Sequence, residues 1–133
     1  MCAPGRGRDS ARAGDGEGWE TRVTAARARG SERTLGAGDL GEPLGERATL
    51  VQFSSAFCQP CRATRRVLAD VAAMVPGVAH VEIDAEGALE LVRELRVLKT
   101  PTVLVLDRAG RVVRRAVGQP RRADVIAALG AAV

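Results

Sequence analysis

Two cysteines stand three positions apart in Phe53-Ser-Ser-Ala-Phe57-Cys58-Gln59-Pro60-Cys61-Arg62, where an apolar run gives way to a helical pattern. If Cys58 opens a helix, Cys61 follows one turn on and nearly on the same face, with Cβ atoms about 5–6 Å apart. A disulfide needs roughly 3.5–4.5 Å between Cβ atoms, so a small adjustment of the first turn closes the pair and little strain opposes reopening. Pro60 suits this place. The first four amides of a helix lack an intrahelical acceptor, so a proline there forfeits no hydrogen bond and stiffens the turn between the sulfurs. The partial positive charge of a helix N-terminus stabilises a thiolate and lowers the pKa of a cysteine placed on it. Such a spacing supports reversible dithiol–disulfide exchange. It could also be half of a zinc site, but zinc takes four ligands and the chain adds only His80 and the remote Cys2.

The flanking pattern supplies elements to hold the pair. Thr49-Leu-Val-Gln52-Phe53 is a short β-favouring run of the kind found in buried central strands. A helix is predicted from about Cys58 to Val75, with Ala63, Val67, Val71 and Val75 at steps of four and Leu68 and Ala72 beside them. Pro76-Gly77 ends it. Val78–Ile83 alternates apolar and polar and makes a second strand, closed by Asp84. A second helix is predicted over Gly87–Leu95, carrying Leu89, Val92 and Leu95 inward. Thr102–Leu106 is a third strand, Asp107–Gly110 a hairpin turn, Arg111–Val117 a fourth strand, and Arg122–Ala131 a last helix. The order βαβα followed by ββα predicts an α/β fold, a mixed sheet with helices on both faces.

Residues 1–38 are rich in Gly, Ala, Arg and Asp, and too poor in apolar side chains to offset the entropy of ordering. We expect a disordered or weakly ordered arm there, with a thin helical stripe over Trp19–Arg29, and a single domain over 39–133. The approach to that domain, Asp39–Gly45, reads as turns. The net charge of +4 is uneven: residues 1–48 balance eight basic against eight acidic side chains, while 49–133 carry twelve against eight. The excess gathers at Arg108, Arg111, Arg114, Arg115, Arg121 and Arg122. With neither stacking aromatics nor a recognition motif, this reads as a mildly basic surface and not as a nucleic-acid face. No stretch approaches the roughly 20 apolar residues of a membrane span, and no secretory signal is visible. A cytoplasmic location is expected, or a membrane-anchored one if the true start lies upstream.

With a Cys-x-x-Cys at the first strand-to-helix turn, this order resembles the thioredoxin family over about residues 48–132. Thr100-Pro101 heads the third strand where that family carries a cis-proline beside its disulfide. Gly110 matches the glycine of the β-hairpin, and Gly118 the glycine after the last strand. The resemblance implies a mixed four-stranded sheet with room for a fifth edge strand. It casts Cys58 as exposed nucleophile and Cys61 as buried resolving thiol, with Thr100 and Pro101 receiving an extended substrate segment. There are departures. Phe57 and Gln59 replace the tryptophan and glycine of the usual Trp-Cys-Gly-Pro-Cys motif, and Ser54 replaces a packing tryptophan. Gln52 stands where the family has a buried aspartate, and His80 where it has that aspartate's lysine partner, so the buried-acid route for activating Cys61 is absent. His80 reads either as a strand residue packed near the site or as a base.

The resulting expectation is a thiol–disulfide oxidoreductase with no bound cofactor beyond the Cys58–Cys61 pair. Its partners would be protein thiols or disulfides and an unidentified thiol reductant or oxidant, and a monomer is expected. The competing reading is a redox-inert interaction module on the same fold. Cys2 is expected to be a spectator.

Overall fold

The computed structural model describes residues 20–21 and 34–133. Five strands, β1 (Glu20–Thr21), β2 (Ala48–Ser54), β3 (Val78–Asp84), β4 (Thr102–Asp107) and β5 (Val112–Val117), form one sheet in the order β1-β5-β4-β2-β3. The helices are α1 (Ala37–Leu40), α2 (Gln59–Met74), α3 (Leu89–Glu94) and α4 (Arg122–Leu129), with a 3-10 turn at Ala85–Gly87. β2 runs parallel to β3, the pair being joined by α2, and the remaining neighbours are antiparallel. β2 is thus central, and every one of its residues is buried.

Alternation along the strands divides the core in two. Leu50, Val103, Val105 and Ala116 face Leu68 and Val71 of α2 and Val125 and Leu129 of α4. Val51, Phe53, Val81, Ile83, Leu104 and Leu106 face the opposite side, where Leu91, Leu95 and Val97 cover them. Both faces of the sheet are therefore closed by helices, as expected. At the hairpin, the Asp107 carboxylate accepts from the amides of Ala109 (3.0 Å) and Arg111 (2.9 Å). Gly110 turns at φ 91°, and a Cβ there would collide with the Leu35 carbonyl.

Several expectations are corrected. Of the helix expected over Trp19–Arg29, only Glu20 and Thr21 lie among the described residues, and they form a strand opposite Arg115 and Arg114. This is the fifth edge strand. The ordered fold also starts before Asp39: Leu35 is completely buried in the core, and its amide donates to the Gly110 carbonyl at 2.9 Å. Asp39 closes the turn of α1 by accepting from the Gly36 amide at 2.8 Å. In α2, Leu68 and Val71 are buried and Val67 and Val75 pack against the same core as expected, and Cys61 and Thr64 extend the inward stripe at the N-terminal end. At α3, Leu95 at the C-cap is buried and Val92 packs against the core as expected, but Leu89 is exposed and Leu91 takes the inward place instead.

Four of the C-terminal arginines hold acidic or carbonyl partners. Arg111, Arg121 and Arg122 pair with Asp107, Asp124 and Asp70. Arg115 donates to the carbonyls of Leu95 (2.7 Å) and Arg96 (3.4 Å), where a cation offsets the negative end of α3. Among the described residues no helix is long and apolar enough to cross a membrane.

Candidate active site

The buried strand β2 ends at Ser54, and a short loop delivers Cys58 as the N-cap of α2. Cys58 and Cys61 are joined as a disulfide, with their Cα atoms 5.2 Å apart. Cys58 is half-buried, whereas Cys61 is 1% exposed. The Cys61 amide, one of the orphan donors of the helix start, points at the Cys58 sulfur at 3.1 Å. That donor is placed to stabilise a thiolate on Cys58 when the bond opens. Gln59 and Pro60 occupy the first two helical positions and are exposed, so the proline costs the helix no hydrogen bond.

A second loop closes against the first. The Ser55 and Thr100 hydroxyls meet at 2.9 Å, and the Thr100–Pro101 peptide bond is cis. The Pro101 carbonyl accepts from the Gly118 amide at 2.8 Å, and the Thr102 hydroxyl donates to the Lys99 carbonyl at 2.6 Å, fixing the loop from both sides. The sequence-predicted residues Cys58, Cys61, Thr100 and Pro101 are thus brought to one end of the sheet. Phe57 is completely exposed on the same loop as Cys58, and Leu98 is 91% exposed just before Thr100. Aromatic residues are 2% of this chain, and one of them is given wholly to solvent beside the disulfide.

Behind Cys61 lies a polar cluster on the α2 side of β2 and β3. Gln52, fully buried, donates through Nε2 to the Cys61 carbonyl (2.9 Å) and to Ser54 Oγ (2.9 Å). Its Oε1 lies 3.3 Å from His80 Nε2. Ser54 donates to Glu82 Oε2 at 2.8 Å, and Arg65 grips Glu82 with Nε at 2.7 Å and Nη2 at 2.8 Å. The Arg65 guanidinium, helped by Ser54, holds the Glu82 carboxyl below its ordinary range despite partial burial. Burial pushes the His80 imidazole below its ordinary value, against the pull of the nearby Glu82 charge. A depression of about 390 Å³ lined by Ser54, Ser55, Ala56, Arg65, Glu82 and Asp84 opens beside this cluster.

His80 is therefore turned toward Gln52. Sequence reasoning pointed to Gln52 and His80 but missed Arg65 and Glu82 as members of the site. The sequence carried only their spacing. Arg65 stands four residues after Cys61 on one helix face. Glu82 alternates with His80, and the parallel register sets it opposite Gln52.

A redox-closable cysteine pair at the start of a helix, fed by the central strand of a mixed sheet and faced by a cis-proline loop, defines a dithiol–disulfide fold class. The thioredoxin family model matches residues 42–131, and the chain belongs to that family. It is similar to a candidate thioredoxin H10 of Arabidopsis thaliana, 30% identical over 102 residues that cover 77% of this chain and 55% of that protein. It is also similar to thioredoxin H2-1 of Oryza sativa subsp. japonica, 35% identical over 69 residues, 52% of this chain and 49% of that one. Among solved structures, thioredoxin NaTrxh from Nicotiana alata superposes with a TM-score of 0.58 at 26% identity, covering 66% of this chain and 76% of that chain. The chain spans about half the length of these two curated relatives.

Proposed function

We propose that this protein is a thiol–disulfide oxidoreductase that exchanges disulfides with protein thiols through Cys58 and Cys61, using no cofactor beyond that pair. Cys58, as thiolate, attacks one sulfur of a target disulfide, forming a mixed disulfide and releasing the other target sulfur as a thiolate. Cys61 then attacks Cys58 Sγ; the Cys58–Cys61 bond forms and the second target sulfur departs. The target gains two electrons and the two protons the cysteines give up. Run backwards, the same steps hand a disulfide to a dithiol, and the potential of the partner thiol reductant or oxidant sets the direction. Thr100 and Pro101 would receive the target segment along the loop edge, with Phe57, Gln59 and Pro60 forming the rim. We place the exchange in the cytoplasm, where a reducing pool keeps the pair as dithiol. Membrane anchorage is the alternative if the true start lies upstream.

The observation that carries this reading is the Cys58–Cys61 disulfide at the start of α2, with its nucleophile accessible and its partner buried. Insulin reduction coupled to dithiothreitol tests it: Cys58→Ser should abolish turnover, and Cys61→Ser should trap a mixed disulfide with the target. Turnover surviving in Cys58→Ser would sink the assignment. The exposed Phe57 and Leu98 also favour a second reading, an interaction module without exchange. Target binding unchanged in the double Cys→Ser variant, together with no insulin reduction by the wild type, would select it.

A further inference from the structure

Gln52 has a single admissible orientation. The Cys61 carbonyl can only accept, so Nε2 must face it, and the second Nε2 hydrogen goes to Ser54. Ser54 has one proton, and the Glu82 carboxylate, ionised beneath Arg65, can take it. Gln52 Oε1 then faces His80 as an acceptor, which requires the hydrogen of the neutral imidazole to sit on Nε2. Every hydrogen bond thus runs in one direction, from His80 to Gln52 to Ser54 to Glu82, with a branch from Gln52 to Cys61. Reversing any link would set two acceptors or two donors face to face, and at a fully buried amide that is costly.

We propose that Gln52 is a positioning residue for Cys61, kept in its one orientation by His80 on one side and by Ser54–Glu82–Arg65 on the other. The proposal rests on the thiol-exchange reading above. The resolving step forms the Cys58–Cys61 bond and breaks the bond from Cys58 to the target, and the proton shed by Cys61 leaves with the departing target sulfur. That step needs the two sulfurs in line, and slack at the Cys61 end is felt as lost rate. The charged and titratable groups around Gln52 are His80 and Glu82 on β3, Arg65 on α2, and Glu42 on the approach to β2. Of these only Glu82 is a carboxylate joined to the chain, and it stands three hydrogen bonds from Cys61 with both oxygens occupied. The chain aligns the resolving cysteine and takes no proton from it.

Ellman's reagent separates the two half-steps on the reduced protein: Cys58 releases the first thionitrobenzoate and Cys61 the second. His80→Ala, which does not touch Cys61, should slow the second release about fivefold or more and leave the first within about twofold. His80→Gln, whose amide can still donate to Gln52 Oε1, should restore it. In a Gln52→Met background, His80→Ala should change nothing further. An unslowed second release in His80→Ala, or equal slowing with and without Gln52, overturns the proposal. Nitrogen-15 shifts of wild-type His80 read the chain without any exchange: an Nε2–H neutral tautomer is expected, and Nδ1–H overturns it. If the wild type released no thionitrobenzoate at all, the exchange reading would fall and take this proposal with it, whatever the tautomer.

Discussion

The two cysteines differ by position and so should differ in reactivity. Cys58 caps the helix, half-open to solvent, with the Cys61 amide aimed at its sulfur, while Cys61 is shut behind it. In the reduced protein, iodoacetamide at neutral pH should alkylate Cys58 well before Cys61. Equal rates, or faster labelling of Cys61, would reverse the assignment. The helix start makes the first cysteine the cap and sets the next a turn further in, and the family resemblance casts Cys58 as the exposed thiol and Cys61 as the buried one. The cluster behind Cys61 could be read only in part. Gln52 and His80 stood out by occupying positions where the family carries charge. Arg65 and Glu82 looked like an ordinary helix cation and an ordinary outward strand carboxylate. Their part in the site depends on the β2–β3 register, which no local pattern declares.

At the scale of elements, short amphipathic runs such as β2, α2 and the β4–β5 hairpin were legible, since period and turn residues fix them locally. What escaped was the segment before Asp39. Leu35 sits alone among polar and small residues, so neither period nor composition marks it as core, and its value comes from where the hairpin places Gly110. Leu35→Ala should cost about 2–5 kcal/mol, the range for truncating a buried leucine. A chain begun at Asp39 should show a comparable loss, because it also forfeits the hydrogen bond to Gly110, and denaturant melts of the two variants would check both. A truncated chain with an unchanged midpoint would place Leu35 outside the cooperative unit. Gly110→Ala should destabilise as well, because the added methyl meets the Leu35 carbonyl at a backbone angle that disfavours side chains.

For the molecule as a whole, the polar cluster links stability to pH. Folding lowers the His80 pKa, chiefly by burying it, from an ordinary value of 6.5. The unfolded chain therefore takes up a proton at this residue as pH falls past that value, while the folded chain resists. The His80 contribution is fully present above 6.5 and drains away as pH drops toward the lower folded value. Glu82 follows the same sign at more acid pH. Its folded pKa lies below the ordinary 4.5, mainly because Arg65 hydrogen-bonds the carboxylate, so its contribution holds above 4.5 and is lost beneath it. In the oxidised protein Cys58 and Cys61 do not titrate and leave these steps to other groups. Urea midpoints measured from pH 7.5 to 3 should decline in a first stage just below 6.5 and in a second below 4.5. His80→Gln should flatten the first stage and leave the second. The Arg65–Glu82 pair is partly open to solvent, so added salt should soften the second stage more than the first. A midpoint that stays level or rises between pH 7 and 5.5, or a first stage that persists unchanged in His80→Gln, would show that His80 is not the neutral buried donor to Gln52 described above.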